Sequence, residues 1–301
     1  MPQDEVFKSC SYLQHPVSLP LCFQVDGFTM SYLCPLCSAP LFLQQNSYRC
    51  NSNHQFDVAK EGYVNLLPVQ HKRSKDPGDN KAMMQARRHF LDAAHYQPMR
   101  DAVAELLSEK LVGIGNSQLL DIGCGEGYYT GHFQQTLTET KVFGLDISKI
   151  AIRYAAKRYR NGEFLVASSQ RLPFDDNKLD AVVRIYAPCN GEELQRVVKN
   201  HGVVVTVTPG PRHLYQLKAG IYDEVRLHDI PVEDIPGFEL ASEHSVTYDM
   251  TLNSEDATTL LQMTPFAWRA PESLWQTLKD SDAFHCEADF TLRVYSKYQR
   301  D

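Results

Sequence analysis

The stretch Leu119-Leu120-Asp121-Ile122-Gly123-Cys124-Gly125-Glu126-Gly127 decides how this chain is read. Gln118 to Ile122 forms a short apolar run, the pattern of a strand buried on both faces. The glycines that follow permit a tight turn and let a ligand approach the main chain closely. A helix is expected from about Tyr128. Working outward, Lys141–Leu145 reads as the next strand, closed by Asp146, with a helix from Lys149 to Tyr159. Glu163–Ala167, Ala181–Ile185 and Val203–Thr208 read as three more strands, and Glu192–Val198 as the helix before the last. Alternation of this kind predicts an α/β fold with a doubly wound, mostly parallel sheet that binds ligands at the strands' carboxyl ends. Alternating runs near Ser245–Leu252 and Ala288–Tyr295 predict antiparallel strands at one edge.

Upstream, the composition changes. Residues 31–66 are dense in Cys, Pro and Asn and read as turns, and they hold Cys34-x2-Cys37-x12-Cys50-x3-His54. Two close pairs, each on a turn, can converge on one tetrahedral zinc ion. Four protein ligands leave no open position, so the predicted Zn2+ is structural and not hydrolytic. Gln70 to Asp79 is polar and basic and reads as a linker, and 80–108 shows helical spacing of Met83, Met84, Phe90, Leu91, Met99, Val103, Leu106 and Leu107. The expected domains are an extension at 1–29, a zinc-binding RNA-recognition module at 30–68, a basic linker and helix at 69–95, and a catalytic domain at 96–301. Met30 stands before the first metal-type cysteine, which suggests that translation starts there and that 1–29 comes from a misassigned start. Cys10 and Cys22 have no partner pair at metal spacing.

The formal net charge of −7 is unevenly placed. Residues 30–100 hold nine Lys/Arg against five Asp/Glu, whereas 101–301 hold twenty against twenty-nine. A basic front on an acidic body is compatible with steering a polyanion to one face. No apolar run reaches the ~18 residues that span a bilayer. The first thirty residues lack the order of a signal peptide, so a cytoplasmic place and no membrane partner are expected.

A glycine turn after a strand also serves dinucleotides. Three features argue for S-adenosylmethionine. Asp121 precedes the glycines, where it can meet the cofactor's amino group. The loop has no basic residue to hold a pyrophosphate. Asp146 closes the second strand, where a carboxylate can take both ribose hydroxyls. In these features the chain resembles the Rossmann-like class I methyltransferases, and Ala167-Ser-Ser-Gln-Arg-Leu-Pro-Phe174 resembles the segment that passes the adenine edge. Many members of that class carry Asp where this chain has Ser168, whose hydroxyl or carbonyl then meets adenine.

The resemblance sharpens over His54-Gln-Phe-Asp-Val-Ala-Lys-Glu-Gly-Tyr-Val-Asn-Leu-Leu-Pro68, Gln85-Ala-Arg-Arg-His-Phe-Leu-Asp92, His95-Tyr-Gln-Pro98, Ile185-Tyr-Ala-Pro188, Pro209-Gly-Pro-Arg-His213 and Gln262-Met-Thr-Pro-Phe-Ala-Trp268. Together these are similar to the bacterial 23S rRNA (guanine-N1)-methyltransferases acting on the helix 35 hairpin of domain II, from about residue 31 to the C-terminus. The resemblance implies Cys34, Cys37, Cys50 and His54 as zinc ligands and Tyr96, Gly125, Glu126 and His213 as cofactor contacts. Asp121, Gly123, Asp146 and Ser168 complete the expected cofactor site. The resemblance also implies a homodimer and 23S rRNA as the partner.

Guanine N1 carries a proton and is a poor nucleophile until it leaves, so a base or a stabiliser of the O6 anion is required. Asp57, Glu61 and Tyr186 are candidates for that role. Pro188-Cys189 resembles the nucleophile of cytosine-C5 enzymes, but guanine-N1 transfer needs no covalent adduct. His71-Lys-Arg-Ser-Lys75 and Arg87-Arg88 are candidate phosphate contacts. The alternatives are methylation of another RNA base or a small molecule, and an RNA-binding assembly factor without turnover. The zinc pattern and the intact acidic and glycine positions disfavour them.

Overall fold

In the computed structural model, residues 32–71 and 80–298 are described, and all of them fall in one compact unit, Ser31–Asp301. The proposed start at Met30, the 1–29 extension, Cys10, Cys22 and Lys72–Lys75 of the basic linker lie outside the described residues. Strands β1 (Tyr32–Leu33), β2 (Pro40–Gln44), β3 (Ser47–Arg49) and β4 (Gln55–Asp57) form an antiparallel ribbon in chain order. Each is short, because the cysteine-bearing turns interrupt the chain every few residues.

The next strand, β5 (Val64–Asn65), leaves the ribbon and enters a second sheet. After it come α1 (Lys81–Asp92), α2 (Gln97–Leu111), β6 (Ser117–Ile122), α3 (Tyr128–Thr136), β7 (Thr140–Asp146), α4 (Lys149–Arg158), β8 (Glu163–Val166) and β9 (Leu179–Ile185). The chain continues through α5 (Gly191–Val197), β10 (Val198–Pro209), α6 (Tyr215–Ala219), β11 (Phe238–Leu252), α7 (Ser254–Gln262), α8 (Glu272–Lys279) and β12 (Phe284–Lys297). Helix starts follow local chemistry. The side chains of Asn80, Ser148, Asn190 and Asn253 each accept a backbone N–H of the first turn, and Pro98 sits at the start of α2.

Eight strands pair in the order β11-β12-β10-β9-β6-β7-β8-β5. From β5 to β10 the pairs are parallel, whereas β12 runs antiparallel to β10 and to β11. Every residue of β6 and β9 is buried, as expected of central parallel strands covered on both faces. The chain runs from β6 outward through β7 and β8, then returns to β9 on the other side of β6. The crevice for a ligand therefore opens at the carboxyl ends of β6 and β9. No helix among the described residues is long and apolar enough to cross a membrane.

The ribbon is fastened to the loop between β8 and β9. The Leu33 N–H donates to the Pro173 carbonyl at 3.1 Å, and Tyr32 donates its hydroxyl to Glu163 at 2.8 Å. The Tyr32 ring meets Phe174 edge-on, 5.9 Å between centroids. Burying an aromatic of this size contributes about 1.5–3 kcal/mol, so Tyr32 is the main anchor. Arg171 adds bonds to the Pro35 carbonyl (3.0 Å) and the Ser38 hydroxyl (2.6 Å), both within the first zinc-type turn.

Candidate functional site

The four ribbon residues converge. One donor atom from each of Cys34, Cys37, Cys50 and His54 lies within 4.8 Å of all the others. The His54 Nδ1 stands 3.4 Å from the sulfurs of Cys34 and Cys50, and the Cys37 and Cys50 sulfurs are 3.7 Å apart. A tetrahedral zinc with ordinary Zn–S and Zn–N bonds gives edges of about 3.7 Å between sulfurs and about 3.5 Å from sulfur to nitrogen. The donor set fits the ion, with His54 bound through Nδ1.

The second site is a cavity of about 1090 Å³ at the carboxyl ends of the central strands. Its inner wall is the loop after β6. Gly123 and Gly125 adopt left-handed backbone, φ +74° and +54°. A Cβ on Gly123 would stand 2.5 Å from the Ala187 Cβ, so only glycine lets the two loops meet. At Gly125 nothing lies within 4 Å, which leaves the backbone open to a ligand. Asp146 sits at the end of β7, where its carboxylate accepts the Gly125 N–H at 3.0 Å and the Ser148 N–H at 2.7 Å. These bonds fix the carboxylate at the cavity, which Asp146 lines.

Asp121 is only 2% exposed and accepts the Thr130 hydroxyl at 2.6 Å. Burial pushes its pKa up to about 7, against the lowering effect of the Thr130 bond and with Asp146 nearby. A carboxyl so held gains from a cation placed beside it, which the sulfonium cofactor's amino group supplies. Glu126 receives two bonds from Arg88 of α1, at 2.5 Å each, and Arg88 also lies over the Tyr154 ring at 4.3 Å. Arg88 therefore straps α1 to the cofactor loop and is engaged there, not offered to a phosphate. Arg87 also lines the cavity.

Tyr96 and His213 form the opposite wall. The Tyr96 hydroxyl stands 3.4 Å from His213 Nε2, while His213 Nδ1 accepts the Asp289 backbone N–H at 3.3 Å. With Nδ1 used as an acceptor, the neutral ring carries its proton on Nε2. Burial first, then the neighbouring Lys218 and His228, push the His213 pKa down to about 3. His213 is thus a fixed neutral donor. The cofactor loop, Asp146, Tyr96 and His213 are brought together in one cavity, whose walls fit S-adenosylmethionine.

Ser168 lies outside the cavity lining; its hydroxyl accepts the Gln170 N–H in a local turn at 3.2 Å. The candidate bases separate. Tyr186 lines the cavity with φ +59°, and burial holds its hydroxyl well above the ordinary range. Asp57 is on exposed β4 and accepts a bond from Gln55, and Glu61 pairs with Arg153 of α4; neither reaches the cavity. Cys189 donates to the Ser169 carbonyl at 3.1 Å, and burial raises its pKa to about 12. A protonated thiol turned into the chain is no nucleophile.

The same cavity is also lined by Lys218, Tyr222, Glu224, Arg226, His228 and Arg269, among others. None of these was singled out from the sequence. Lys218 donates to the His213 carbonyl at 2.5 Å and stands 2.6 Å from His228 Nε2. Only its distance from His213, five residues along the motif that opens α6, offered a signal.

Two family models match separate parts of the chain. Residues 32–75 match the zinc ribbon described as RlmA, N-terminal, and residues 119–206 match a methyltransferase domain. YxjB of Bacillus subtilis, assigned as a 23S rRNA (guanine-N(1)-)-methyltransferase, is 31% identical over 274 residues, 87% of this chain and 94% of its own. The chain belongs to the 23S rRNA (guanine-N1)-methyltransferases. The 23S rRNA (guanine(748)-N(1))-methyltransferase of Streptomyces fradiae is 29% identical over 87% of this chain and 93% of its own. Membership makes the chain an S-adenosylmethionine-dependent enzyme that methylates 23S rRNA at guanine N1, with zinc as a structural ion.

Proposed function

We propose that this methyltransferase acts on a guanine in the loop of the helix 35 hairpin in domain II, read by the zinc ribbon at 30–68 and methylated by the domain at 96–301. The observation that carries the reading is the size of the single cavity at the ends of the central strands. At about 1090 Å³ it exceeds the usual 300–1000 Å³ of a site for one small ligand, so it can take the cofactor and an extruded base together. The ribbon supports it too, being fastened by Arg171 to the loop between β8 and β9. The family resemblance supports a homodimer, and an rRNA substrate supports a cytoplasmic place of action.

The cofactor supplies an electrophilic methyl group that needs only in-line placement within about 3–3.5 Å of N1. Asp146 would take the ribose hydroxyls of bound S-adenosylmethionine, and Asp121 would face its amino group. The Lys218–His228 pair takes the N1 proton, and the electron pair of the broken N1–H bond stays on N1 as the nucleophile. His213 cannot fill this role, since Nδ1 already accepts the Asp289 N–H and Nε2 carries the ring proton. Burial pushes the pKa values of both Lys218 and His228 down, and the Lys218 charge lowers that of His228 further. The groups facing the pair are His213, Cys286 and Asp289.

Reverse transcription of 23S rRNA from a deletion strain, with and without the restored gene, tests the target, because N1 methylation blocks Watson–Crick pairing and stops the polymerase. A gene-dependent stop within the helix 35 loop is expected; a stop elsewhere, or none, rejects the assignment. Lys218→Met should lower kcat more than tenfold and remove the acid limb of the pH–rate profile. An unchanged profile would reject the pair as acceptor.

A further inference from the structure

Trp268 is 75% exposed, although an indole is among the costliest side chains to leave in water. It sits in a short 3-10 turn, Ala267–Arg269, just after α7. The turn is held firmly. The Arg269 N–H donates to the Phe266 carbonyl at 2.9 Å, the Thr264 hydroxyl donates to the Leu261 carbonyl at 2.7 Å, and Phe266 and Ala267 pack against the main core. The Arg269 guanidinium lies 4.6 Å from the centre of the Trp268 ring. Met263, Thr264, Pro265, Phe266 and Arg269 line the cavity, so the exposed ring rests against a residue of its wall.

A rigid ring beside a cation at the edge of a base-sized cavity has a chemistry of its own. Any nucleobase offers a π face, and stacking on an aromatic is tolerant of base identity. Arginine adds both a cation–π contribution and a charge complementary to the phosphate. Extruding one base from a loop leaves its neighbour without a stacking partner, and a fixed indole can replace it. We propose that Trp268, backed by Arg269, is a stacking site for an unpaired RNA base flanking the target guanine. This rests on the RNA-methylating function above and extends it to a second nucleotide. The site holds the loop open while the target base occupies the cavity.

The chain has only two tryptophans, and the other, Trp275 of α8, packs partly buried against the core. Intrinsic tryptophan emission is therefore the sum of two indoles, and comparison with Trp268→Ala isolates the share of Trp268. Titrating the full chain with a synthetic helix 35 hairpin should quench the emission, and Trp268→Ala should abolish most of that quench. The same variant should weaken hairpin binding about 5- to 100-fold. Trp268→Phe, which retains a π face, should keep most of the affinity. Cofactor affinity should be unchanged in both variants, which also shows that they fold. Hairpin binding by Trp268→Ala within twofold of the wild type, with full methylation of the hairpin, would overturn the stacking site and leave the methylation reading standing. A wild-type chain that neither binds nor methylates the hairpin would overturn both. A concentration-dependent blue shift without RNA, lost in Trp268→Ala, would show a second copy of the chain covering the ring and would also overturn the proposal.

Discussion

Asp121 shows how the cofactor site trades stability for binding. Its carboxyl is buried beside Asp146 with a single hydroxyl donor, and its pKa rises to about 7. A raised pKa means that folding favours the protonated form. The contribution to stability is fully present below the unfolded value near 3.9 and is lost as pH rises through about 7. The cofactor-free wild type should therefore lose stability from this group between about pH 4 and 7, on the order of a few kcal/mol in all. Asp121→Asn removes the charge, so its melting temperature should fall less from pH 5 to pH 8, while its cofactor affinity should drop at least tenfold. Parallel melting curves against pH would contradict this. Gly123 carries the opposite kind of constraint. Gly123→Ala places a Cβ against Ala187 in a left-handed backbone, and both the loop's geometry and cofactor binding should be lost. Calorimetric titration checks it, with full affinity as the contrary result.

Among the elements, the zinc ribbon matters for more than its own fold. Four strands of two to five residues bury too little apolar surface to hold together without the metal. The ribbon's first turn accepts both Arg171 bonds, and Arg171 belongs to the loop that follows the cofactor strands. Removing zinc with a chelator should expose the ribbon to protease, leave the main sheet folded and weaken cofactor binding a few-fold. Protease mapping together with cofactor titration decides it; an unchanged cofactor affinity would mean that the loop stands without the ribbon. Helix α1 acts on the same site from the other side, through the bidentate Arg88–Glu126 pair. An arginine that looks like a phosphate contact in sequence is thus a structural strap. Its partner lies 38 positions away, and no local pattern announces it.

For the whole molecule, charge is unevenly placed along the chain: residues 30–100 carry a basic excess and 101–301 an acidic one. Neutralising Lys72, Arg73 and Lys75 together should lower the slope of log affinity against log salt by about 2. An unchanged slope would exclude that segment from the interface. The sheet, the glycine loop and the zinc ligands could be read from sequence because each depends on neighbours in the chain. Strand periodicity, a turn that demands glycine, and ligand pairs two or three residues apart are all short-range chemistry. The cavity's walls are not. Tyr96, the His213–Lys218 segment and Arg269 lie far apart in sequence, and only the packing of α2, the end of β10 and the turn after α7 brings them into one cavity. Asp57 and Glu61 matched a family segment, yet the ribbon and the Arg153 pair hold them away from that end. Short-range spacing could name the cofactor and the metal. Long-range pairing alone could decide which side chains face the methyl group, because facing is a property of the packed sheet and not of the chain.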